Sequence, residues 1–184
     1  MKFLKPQATI LYEDNHLLLV NKRVSQIVQG DRTGDPSLDR LLKDFIRERD
    51  QKPGEVFLGI PHRLDRPVSG VVVFAKTSKA LSRMAVLFKE KKVKKIYHAI
   101  VEKSPGADQG TLEHYLTRNT RQNKSYVHSH EVKDSKHAIL HYSKLAASDR
   151  YHLLEIELET GRHHQIRAQL AGIGCMIKGC LLYT

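Results

Sequence analysis

Apolar and polar positions in the first fifty residues predict a hairpin followed by a helix. Two short β-like runs, residues 9–14 and 16–22, meet at Asn15, as the two strands of a hairpin do. After a polar loop that contains glycine, Asp35 can cap a helix that begins at Pro36. The apolar side chains that share one face of this helix are Leu38, Leu41, Leu42, Phe45 and Ile46.

Two apolar runs follow, at residues 56–60 and 70–75, and both predict buried strands. Neither run alternates with polar residues, which is typical of strands covered on both faces. Thr77 or Ser78 then begins a second amphipathic helix, which ends in the basic run 89–95. The side chains expected on the inner face of this helix are Leu81, Met84, Ala85 and Phe88.

The second half of the chain is mainly β-like. Residues 96–101 alternate, so that Tyr97 lies on the more apolar face of the predicted strand. The pattern over residues 111–132 is polar and weak, and predicts at most two short strands. Residues 137–147 and 151–160 flank a short polar turn and predict a long hairpin.

A short helix is predicted at residues 162–174, with Ile166 and Leu170 directed inward and a glycine at its end. Strand-rich segments interrupted by single helices, with no regular βαβ rhythm, favour an α+β fold. We expect a mainly antiparallel mixed sheet flanked by a few helices. The length favours a single domain over residues 1–184.

The composition indicates a polyanionic partner. The chain has 31 Lys and Arg against 20 Asp and Glu, a formal net charge of +11, which favours nucleic acid or anionic lipid. No apolar run approaches the roughly 18 residues of a spanning helix, and the first residues lack the features of a signal peptide. Cys175 and Cys180 come without a secretory signal, so we expect a soluble protein of the reducing cytoplasm.

Residues 61–70, PHRLDRPVSG, carry a charged cluster between two of the most apolar runs of the chain: His62, Arg63, Asp65 and Arg66. An Arg and an Asp two positions apart on a loop can simply pair with each other or close a turn. Functional groups, however, are commonly carried on loops held by rigid elements. A carboxylate at an apolar wall needs a cationic partner to stay ionised, and an ionised carboxylate there can act as a nucleophile or base. Asp65 is therefore a candidate catalytic residue.

A second cluster begins the last predicted helix and consists of Arg162, His163, His164, Gln165 and Arg167. The amide groups of a helix N-terminus and two arginines favour an anion, either a phosphate or a carboxylate from elsewhere in the fold. The alternative is a solvated basic helix start. The histidines and the two cysteines lack the paired spacing of zinc sites, so we expect no metal. No phosphate-binding glycine loop and no hydrolase motif occurs.

Three segments together resemble, in order and spacing, the motifs of the RluA-like family of RNA pseudouridine synthases. They are HRLDRPVSGVVVFAKT at 62–77, KKIYHAIVE at 94–102 and TGRHHQIRAQLAGIG at 160–174. Residues 10–22 also resemble the opening hairpin of that family. The resemblance covers nearly the whole chain. It implies an enzyme that detaches uracil from its ribose, turns the base and rejoins it through carbon 5, a reaction that demands no cofactor.

The resemblance also implies roles for individual residues. Asp65 would be the essential carboxylate, acting at the sugar as nucleophile or as base, and Arg167 the cation that keeps it ionised. Tyr97 would stack on the uracil and help to relay the proton that leaves carbon 5. Arg63 would fill the gap that a flipped-out uridine leaves, and His62 would brace the loop or contact RNA. Phosphate contacts are expected from Arg66, Lys92, Lys94, Lys95 and Arg162.

The chain departs from the family pattern mildly at Val68, where Thr is common, and more clearly at two further places. Arg23 and Ser25 stand where the opening hairpin usually continues with Pro and Gly. Met176, Cys180 and Thr184 stand where Pro, Asp and Gly are usual, and the further strands of the family do not follow. The C-terminus therefore looks truncated, which would expose a sheet edge and core surface. No separate amino-terminal RNA-binding module is recognised.

The sequence thus predicts a cytoplasmic, monomeric RNA pseudouridine synthase that flips specific uridines out of tRNA or rRNA and isomerises them. An alternative is a non-catalytic RNA-binding remnant of the same fold, which the altered end and the basic composition favour. A weaker alternative is a nucleoside glycosidase that uses the same carboxylate and yields free uracil. The particular RNA and the particular uridine stay open.

Overall fold

The computed structural model describes residues 9–183, which divide into two compact units, one up to Lys92 and the other from Val93. The first unit contains three strands and two helices. These are β1 (Thr9–Glu13), β2 (Leu17–Lys22), α1 (Leu38–Arg49), β3 (Gly70–Ala75) and α2 (Ser78–Lys89). The second unit contains five strands and one helix. These are β4 (Ile96–Val101), β5 (Gln109–Asn119), β6 (Lys124–His128), β7 (Lys136–Ala147), β8 (His152–Leu158) and α3 (Gln165–Gly172).

The first unit is built on a three-stranded antiparallel sheet in the order β1-β2-β3. The predicted opening hairpin is confirmed, since β1 pairs with β2 from Thr9↔Asn21 to Glu13↔Leu18. Helix α1 covers one face of the sheet with its buried apolar stripe, and the core contains Leu18, Val20, Leu38, Leu42, Ile46, Val72 and Phe74. Burying a side chain of this kind contributes about 1.5–3 kcal/mol each, so this face holds the unit together.

Helix α1 begins two residues later than predicted. Ser37, not Asp35, is the N-cap, and its backbone is extended. The cause is a backbone contact that the sequence pattern does not reveal. The N–H groups of Leu38 and Asp39 donate to the carbonyl oxygens of Ile27 and Val28, at 2.8 and 3.1 Å. Because the preceding loop satisfies the first amide groups of the helix, Pro36 stays outside it.

The run 56–60 was predicted as a buried strand, and this prediction is wrong. The run is extended but joins the sheet through a single bridge, in which Gly59 and Ala75 exchange both backbone hydrogen bonds. Gly59 also lies against α2, where an added Cβ would be 2.7 Å from the side chain of Leu81. Two further predictions of burial are wrong. Val71 of β3 is 50% exposed, so β3 is not covered on both faces. Ala85 of α2, which was expected on the inner face of this helix, is exposed.

The second unit is a five-stranded antiparallel sheet in the order β4-β8-β7-β5-β6. The predicted long hairpin is β7 and β8, and the predicted alternation of β4 is confirmed, with Ala99 and Val101 buried and Ile96 and Ile100 about half exposed. Strand β5, with 11 residues, is longer than the weak pattern suggested, because residues 109–116 pair with β7 and residues 115–119 pair with β6. The α+β class with antiparallel sheets is therefore confirmed.

Helix α3 begins at Gln165, three residues after Arg162, so Arg162 precedes the helix and does not begin it. Its N-cap is His164, whose backbone is left-handed at φ 51°. After α3 the chain turns back along the outer edge of β4. The N–H of Lys178 donates to the carbonyl oxygen of Ile100 at 2.8 Å, and Val101 forms a bridge with Ile177. This edge is thus partly covered. Thr184 lies outside the described residues.

Candidate active-site residues

The loop that carries Asp65 is held by a buried lysine at the end of β2. The side chain of Lys22 is completely buried, and its Nζ donates to three carbonyl oxygens: those of Arg23 at 3.0 Å, Arg66 at 3.1 Å, and Val68. The carbonyl of Arg66 also accepts from the N–H of Ser25 at 2.9 Å. One ammonium group thus bonds to a carbonyl directly after β2 and to two carbonyls of the loop. It therefore fixes the loop to the end of β2.

Electrostatics couple Lys22 to the carboxylate of the same loop. The pKa of Lys22 is lowered to about 8, mainly by burial; the Asp65 carboxylate acts in the opposite direction and favours the ammonium form, and the charge of nearby Arg66 acts in the same direction as burial. A buried ammonium is tolerated where all three of its protons have acceptors, as they do here. The two opposite charges of Lys22 and Asp65 therefore stabilise each other within the first unit.

His62 braces the same loop from its other side. Its Nε2 accepts a hydrogen bond from the N–H of Val73 in β3 at 3.0 Å, and its ring lies 5.0 Å from that of Phe88 in α2. Burial lowers the pKa of His62, which keeps the ring neutral and its Nε2 an acceptor. The loop then enters β3 at Gly70, whose φ of 135° is a conformation that side-chain-bearing residues rarely adopt.

The predicted RNA-contacting cations of the first unit are exposed and already have partners. A guanidinium nitrogen of Arg63 lies 3.4 Å from Oε1 of Gln29. Arg66 pairs with Asp35 and donates to the hydroxyl of Thr33 at 3.2 Å. Lys92 pairs with Glu90 at 2.7 Å. Exposed ion pairs of this kind contribute about 0–1 kcal/mol, so a phosphate can replace the carboxylate at little cost.

In the second unit, Tyr97 lies on β4 opposite Ile156 of β8, half-buried against the core of the sheet. Two of the predicted cations lie just before it. Lys94 pairs with Glu157 at 3.0 Å, and the carbonyl of Lys95 accepts from the N–H of Leu158 at 3.0 Å. Backbone pairing therefore continues beyond the N-terminal end of β4 and fixes the position from which Tyr97 projects.

Arg167 lies on α3 between two buried glutamines that dock this helix on the sheet. Gln165 donates to the carbonyl of Ile139 at 3.0 Å, and its Oε1 accepts from the backbone N–H of Arg162 at 2.9 Å. Gln169 is completely buried and donates to the carbonyl of Leu112 at 3.0 Å. With both turns of a short helix tied to strands, the position of Arg167 is fixed. Arg162 itself donates through Nε to the carbonyl of His137 at 2.8 Å.

The segment before α3 is tied to β6 and to the last described residue. The rings of His163 and His164 stack at 3.8 Å, and the hydroxyl of Ser125 donates to the carbonyl of His163 at 2.7 Å. Tyr183 accepts from the N–H of Ser125 at 2.8 Å. Burial raises the pKa of Tyr183, and the nearby positive charge of Arg167 opposes this shift. The C-terminal tyrosine therefore lies beside the helix that carries Arg167.

The sequence pattern placed Gln165 in the second cluster, but it predicted neither the docking role of this residue nor any role for Gln169 or Lys22. A lysine at the end of an apolar run gives no signal that distinguishes a buried ammonium from an exposed one. The glutamines recur at positions 165 and 169, one helical turn apart, and this spacing was the available sign of a shared buried face.

Among residues 9–183, no group of three or more His, Cys, Asp or Glu side chains is arranged to hold a metal ion. Over the same residues, no helix combines the length and the apolar character needed to cross a bilayer.

Comparison with known proteins agrees with this fold and these motifs. The solved structure titled Human RNA Pseudouridylate Synthase Domain Containing 4 matches with a TM-score of 0.83 and 24% identity, covering 96% of this chain and 69% of that one. This likeness defines the class of fold. Residues 16–172 match the family described as RNA pseudouridylate synthase. The chain belongs to this family, and its resemblance to the RluA-like members is confirmed.

Two curated relatives show how far the similarity extends. The ribosomal large subunit pseudouridine synthase D of Zymomonas mobilis is 32% identical, over 95% of this chain and 55% of its own length. The tRNA pseudouridine synthase C of Vibrio parahaemolyticus is 34% identical, over 92% of this chain and 71% of its own length. The chain spans less than three fifths of the length of the first relatives that it matches.

Proposed function

We propose that residues 1–184 act as one catalytic domain of an RNA pseudouridine synthase, which isomerises specific uridines in structured tRNA or rRNA to pseudouridine without a cofactor. The observation that carries the proposal is the anchoring of the Asp65 loop in a chain of this family, by the Nζ of Lys22 and the Nε2 of His62. A carboxylate that has to meet one carbon atom of a flipped nucleotide needs such a fixed loop.

The proposed reaction breaks the bond between N1 of uracil and C1′ of the ribose and forms a bond between C5 and C1′. The proton on C5 leaves, and N1 carries a proton in the product, so no atoms are gained and no electrons are transferred to a second molecule. Asp65 acts at the sugar, either as a nucleophile on C1′ or as a base. Attack of a carboxylate on an anomeric carbon has a precedent in retaining glycosidases.

The other residues act on the base and on the RNA. The guanidinium of Arg167 keeps Asp65 ionised, and its planar fork suits a carboxylate. Tyr97 stacks on the uracil and relays the proton from C5. Arg63 enters the RNA where the uridine has left, while His62, Arg66, Lys92, Lys94, Lys95 and Arg162 hold the loop and the phosphates. The exposure of Arg63 and the replaceable ion pairs of Lys92 and Lys94 support their assignment to RNA.

The relatives and the charge support the proposed substrate class. Relatives are named for the large ribosomal subunit and for tRNA, and the +11 charge of this chain favours a polyanion. We propose that the protein works as a monomer in the cytoplasm and needs no metal ion. RNA shape and extruded bases then govern the choice of uridine.

The test uses RNA that carries tritium on C5 of uracil, incubated with the wild type, with Asp65→Asn and with Asp44→Asn. Asp44 is a surface residue of α1 paired with Arg47, and serves as the matched control. We expect release of the label by the wild type and by the control, and no release by Asp65→Asn. Absence of release by the wild type from all cellular RNA would overturn the proposal.

Two further measurements separate the alternatives. A non-catalytic RNA-binding remnant would bind RNA in a salt-dependent way without releasing label. A nucleoside glycosidase would produce free uracil, which chromatography detects. Comparison of pseudouridine maps from cells with and without the gene would identify the target nucleotide.

A further inference from the structure

The tip of the β5–β6 hairpin, residues 117–126, forms a cationic surface that the proposed reaction does not use. It carries three permanent cations, Arg118, Arg121 and Lys124, and no acidic residue occurs between Glu113 and Glu131. Arg118 and Arg121 are exposed. Within the part of the chain that the structure describes, none of these three cations lies within ion-pair distance of a carboxylate.

Three other cations of the second unit differ in this respect. Lys94 pairs with Glu157, Lys144 pairs with Asp108, and Lys178 pairs with Glu102. The hairpin tip therefore concentrates positive charge that the protein does not neutralise. Repulsion between the three cations costs some stability, and an anionic partner would remove that cost.

The tip is also pre-organised by its own side chains. The N–H of Gln122 donates to Oδ1 of Asn119 at 3.0 Å, and the amide of Asn119 donates to Oε1 of Gln122 at 3.1 Å. The hydroxyl of Tyr126 donates to the same Oε1. A turn fixed in this way loses little conformational entropy when it binds, so its cations keep a defined spacing.

An exposed aromatic ring accompanies the cations. Tyr126 is 41% exposed, and the ammonium of Lys124 lies 5.8 Å from the centre of its ring. An open concavity of about 470 Å³ lies here, and its lining residues are Thr117, Arg118, Asn119, Thr120, Arg121 and Tyr126. Cations combined with an accessible aromatic ring are the combination that binds single-stranded nucleic acid, because phosphates meet the charge and bases stack on the ring.

The tip is mechanically linked to the helix that carries Arg167. Ser125, next to Tyr126, contacts His163 just before α3, and at the end of the helix a Cβ added to Gly172 would lie 3.4 Å from the side chain of Val127. Both ends of α3 therefore touch β6. RNA held by the tip would be held in a fixed relation to Arg167.

We propose that residues 117–126 bind the RNA next to the modified uridine, with the three cations on its phosphates and Tyr126 stacked on an unpaired base. This inference rests on the proposed function, since it assigns a second contact surface to the same RNA substrate. A lipid surface would use the charges but would have no need of the fixed turn.

The first test compares two triple variants with the same loss of charge. Arg118→Gln/Arg121→Gln/Lys124→Gln removes the cations of the tip, and Arg47→Gln/Lys144→Gln/Lys178→Gln removes cations that are paired with carboxylates. Affinity for tRNA and rRNA fragments is measured over a range of salt concentrations. Three lost phosphate contacts should reduce the slope of log K against log salt by about 2–3, whereas the control should keep the wild-type slope. Equal slopes for the two variants would overturn the proposal.

The second test concerns the ring. Tyr126→Leu should weaken binding to single-stranded RNA by about tenfold, and Tyr126→Phe, which keeps the ring, should bind like the wild type. Equal weakening by both variants would assign Tyr126 to the turn through its hydroxyl and would remove the stacking part of the proposal. Circular dichroism of each variant checks that the sheet is intact.

These measurements stay informative if the proposed activity fails. Where the wild type releases tritium, the triple variant of the tip should raise KM for RNA more than it lowers kcat. Where the wild type does not release tritium, the measurements of RNA affinity and of its salt dependence still test whether the tip binds RNA. A triple variant that loses affinity for phosphatidylglycerol vesicles while keeping its affinity for RNA would overturn the assignment to RNA.

Discussion

The side-chain amino group of Lys22 donates a hydrogen bond to the main-chain carbonyl of Val68, 46 residues further along the chain. It donates to the carbonyls of Arg23 and Arg66 as well, so one buried ammonium joins the end of β2 to the loop that carries Asp65. Residues 66 and 68 both belong to the turn that the N–H of Val68 closes on the carbonyl of Asp65 at 3.0 Å. The lysine therefore holds the backbone from which the carboxylate projects.

Replacement of this lysine should loosen the loop. Lys22→Met keeps most of the apolar stem but removes the ammonium donor from the carbonyls of Arg23 and Val68, whereas the carbonyl of Arg66 keeps the N–H of Ser25. We expect a loss of at least about 2 kcal/mol in the free energy of unfolding, since each buried polar group left unsatisfied costs about 1–3 kcal/mol. Urea denaturation measures the loss, and Lys79→Met on the exposed face of α2 is the control, with a change within about 0.5 kcal/mol.

A local measurement separates a loosened loop from general instability. The N–H of Ser25 donates to the carbonyl of Arg66, which is also an acceptor of Lys22. Hydrogen exchange at Ser25 should therefore accelerate in Lys22→Met more than exchange at Leu18, which lies in the middle of the same sheet. Equal acceleration at both amides would show that Lys22 stabilises the unit as a whole and does not anchor the loop.

The charged loop could be recognised from the sequence, but the group that anchors it could not. Asp65 stands out because charged residues interrupt two apolar runs over a few positions. Lys22 ends an apolar run in the way that many exposed lysines do, and its burial depends on a contact with residues 66 and 68 that local periodicity does not encode. Likewise, the start of α1 depends on the carbonyls of Ile27 and Val28, so a helix start assigned from Asp35 and Pro36 was two residues early.

The hydrogen bond from Val73 to the buried ring of His62 should make the stability of the protein depend on pH. Its folded-state pKa lies below the ordinary value of 6.5 because the ring is buried, so the folded protein favours the neutral form. The contribution of the neutral His62 ring to the free energy of unfolding is therefore complete above pH 6.5 and is lost as the pH falls from 6.5 through the folded-state pKa. His62→Gln, whose amide oxygen can accept from Val73, should reduce the loss of stability below pH 6.5. The exposed control His130→Gln should leave the wild-type curve unchanged.

A second pH effect should come from Glu13, at the end of β1. Arg49 donates two hydrogen bonds to its carboxylate, at 2.7 and 2.8 Å, and Lys76 donates another at 2.7 Å, which together lower the pKa of Glu13 to about 2. The stabilisation is present above the ordinary pKa of 4.5 and is lost as the pH falls from 4.5 towards 2. Allowing for solvent screening, we expect about 1–2 kcal/mol.

The Glu13→Gln variant tests this effect, because it cannot titrate. Its free energy of unfolding should be lower than that of the wild type at pH 7, and the two curves should converge between pH 4.5 and pH 2. Glu48→Gln on α1, a group without these partners, is the matched control. Parallel curves for the wild type and Glu13→Gln over this range would contradict the assignment.

In the second unit, the β-alternation of residues 96–101 was enough to put Tyr97 on the correct face of its strand. The helix of Arg167 was also predicted, but its docking was not, because Gln165 and Gln169 are polar and a search for apolar stripes passes over them. Their amides reach carbonyls of β5 and β7 that are far away in the sequence. A polar residue that is buried against a hydrogen-bonding partner can be predicted to be buried only when the position of the strand that carries this partner is known.

The role of Tyr97 can be divided into ring and hydroxyl. Tyr97→Phe keeps the ring that we propose stacks on uracil and removes the hydroxyl that we propose relays the proton from C5, so RNA affinity should be retained and tritium release should slow by about 100-fold or more. Tyr97→Leu should lose affinity as well. Tyr142→Phe is a matched control, since Tyr142 flanks the same Ile156 from β7. An unchanged kcat in Tyr97→Phe would exclude the relay and leave only the stacking role.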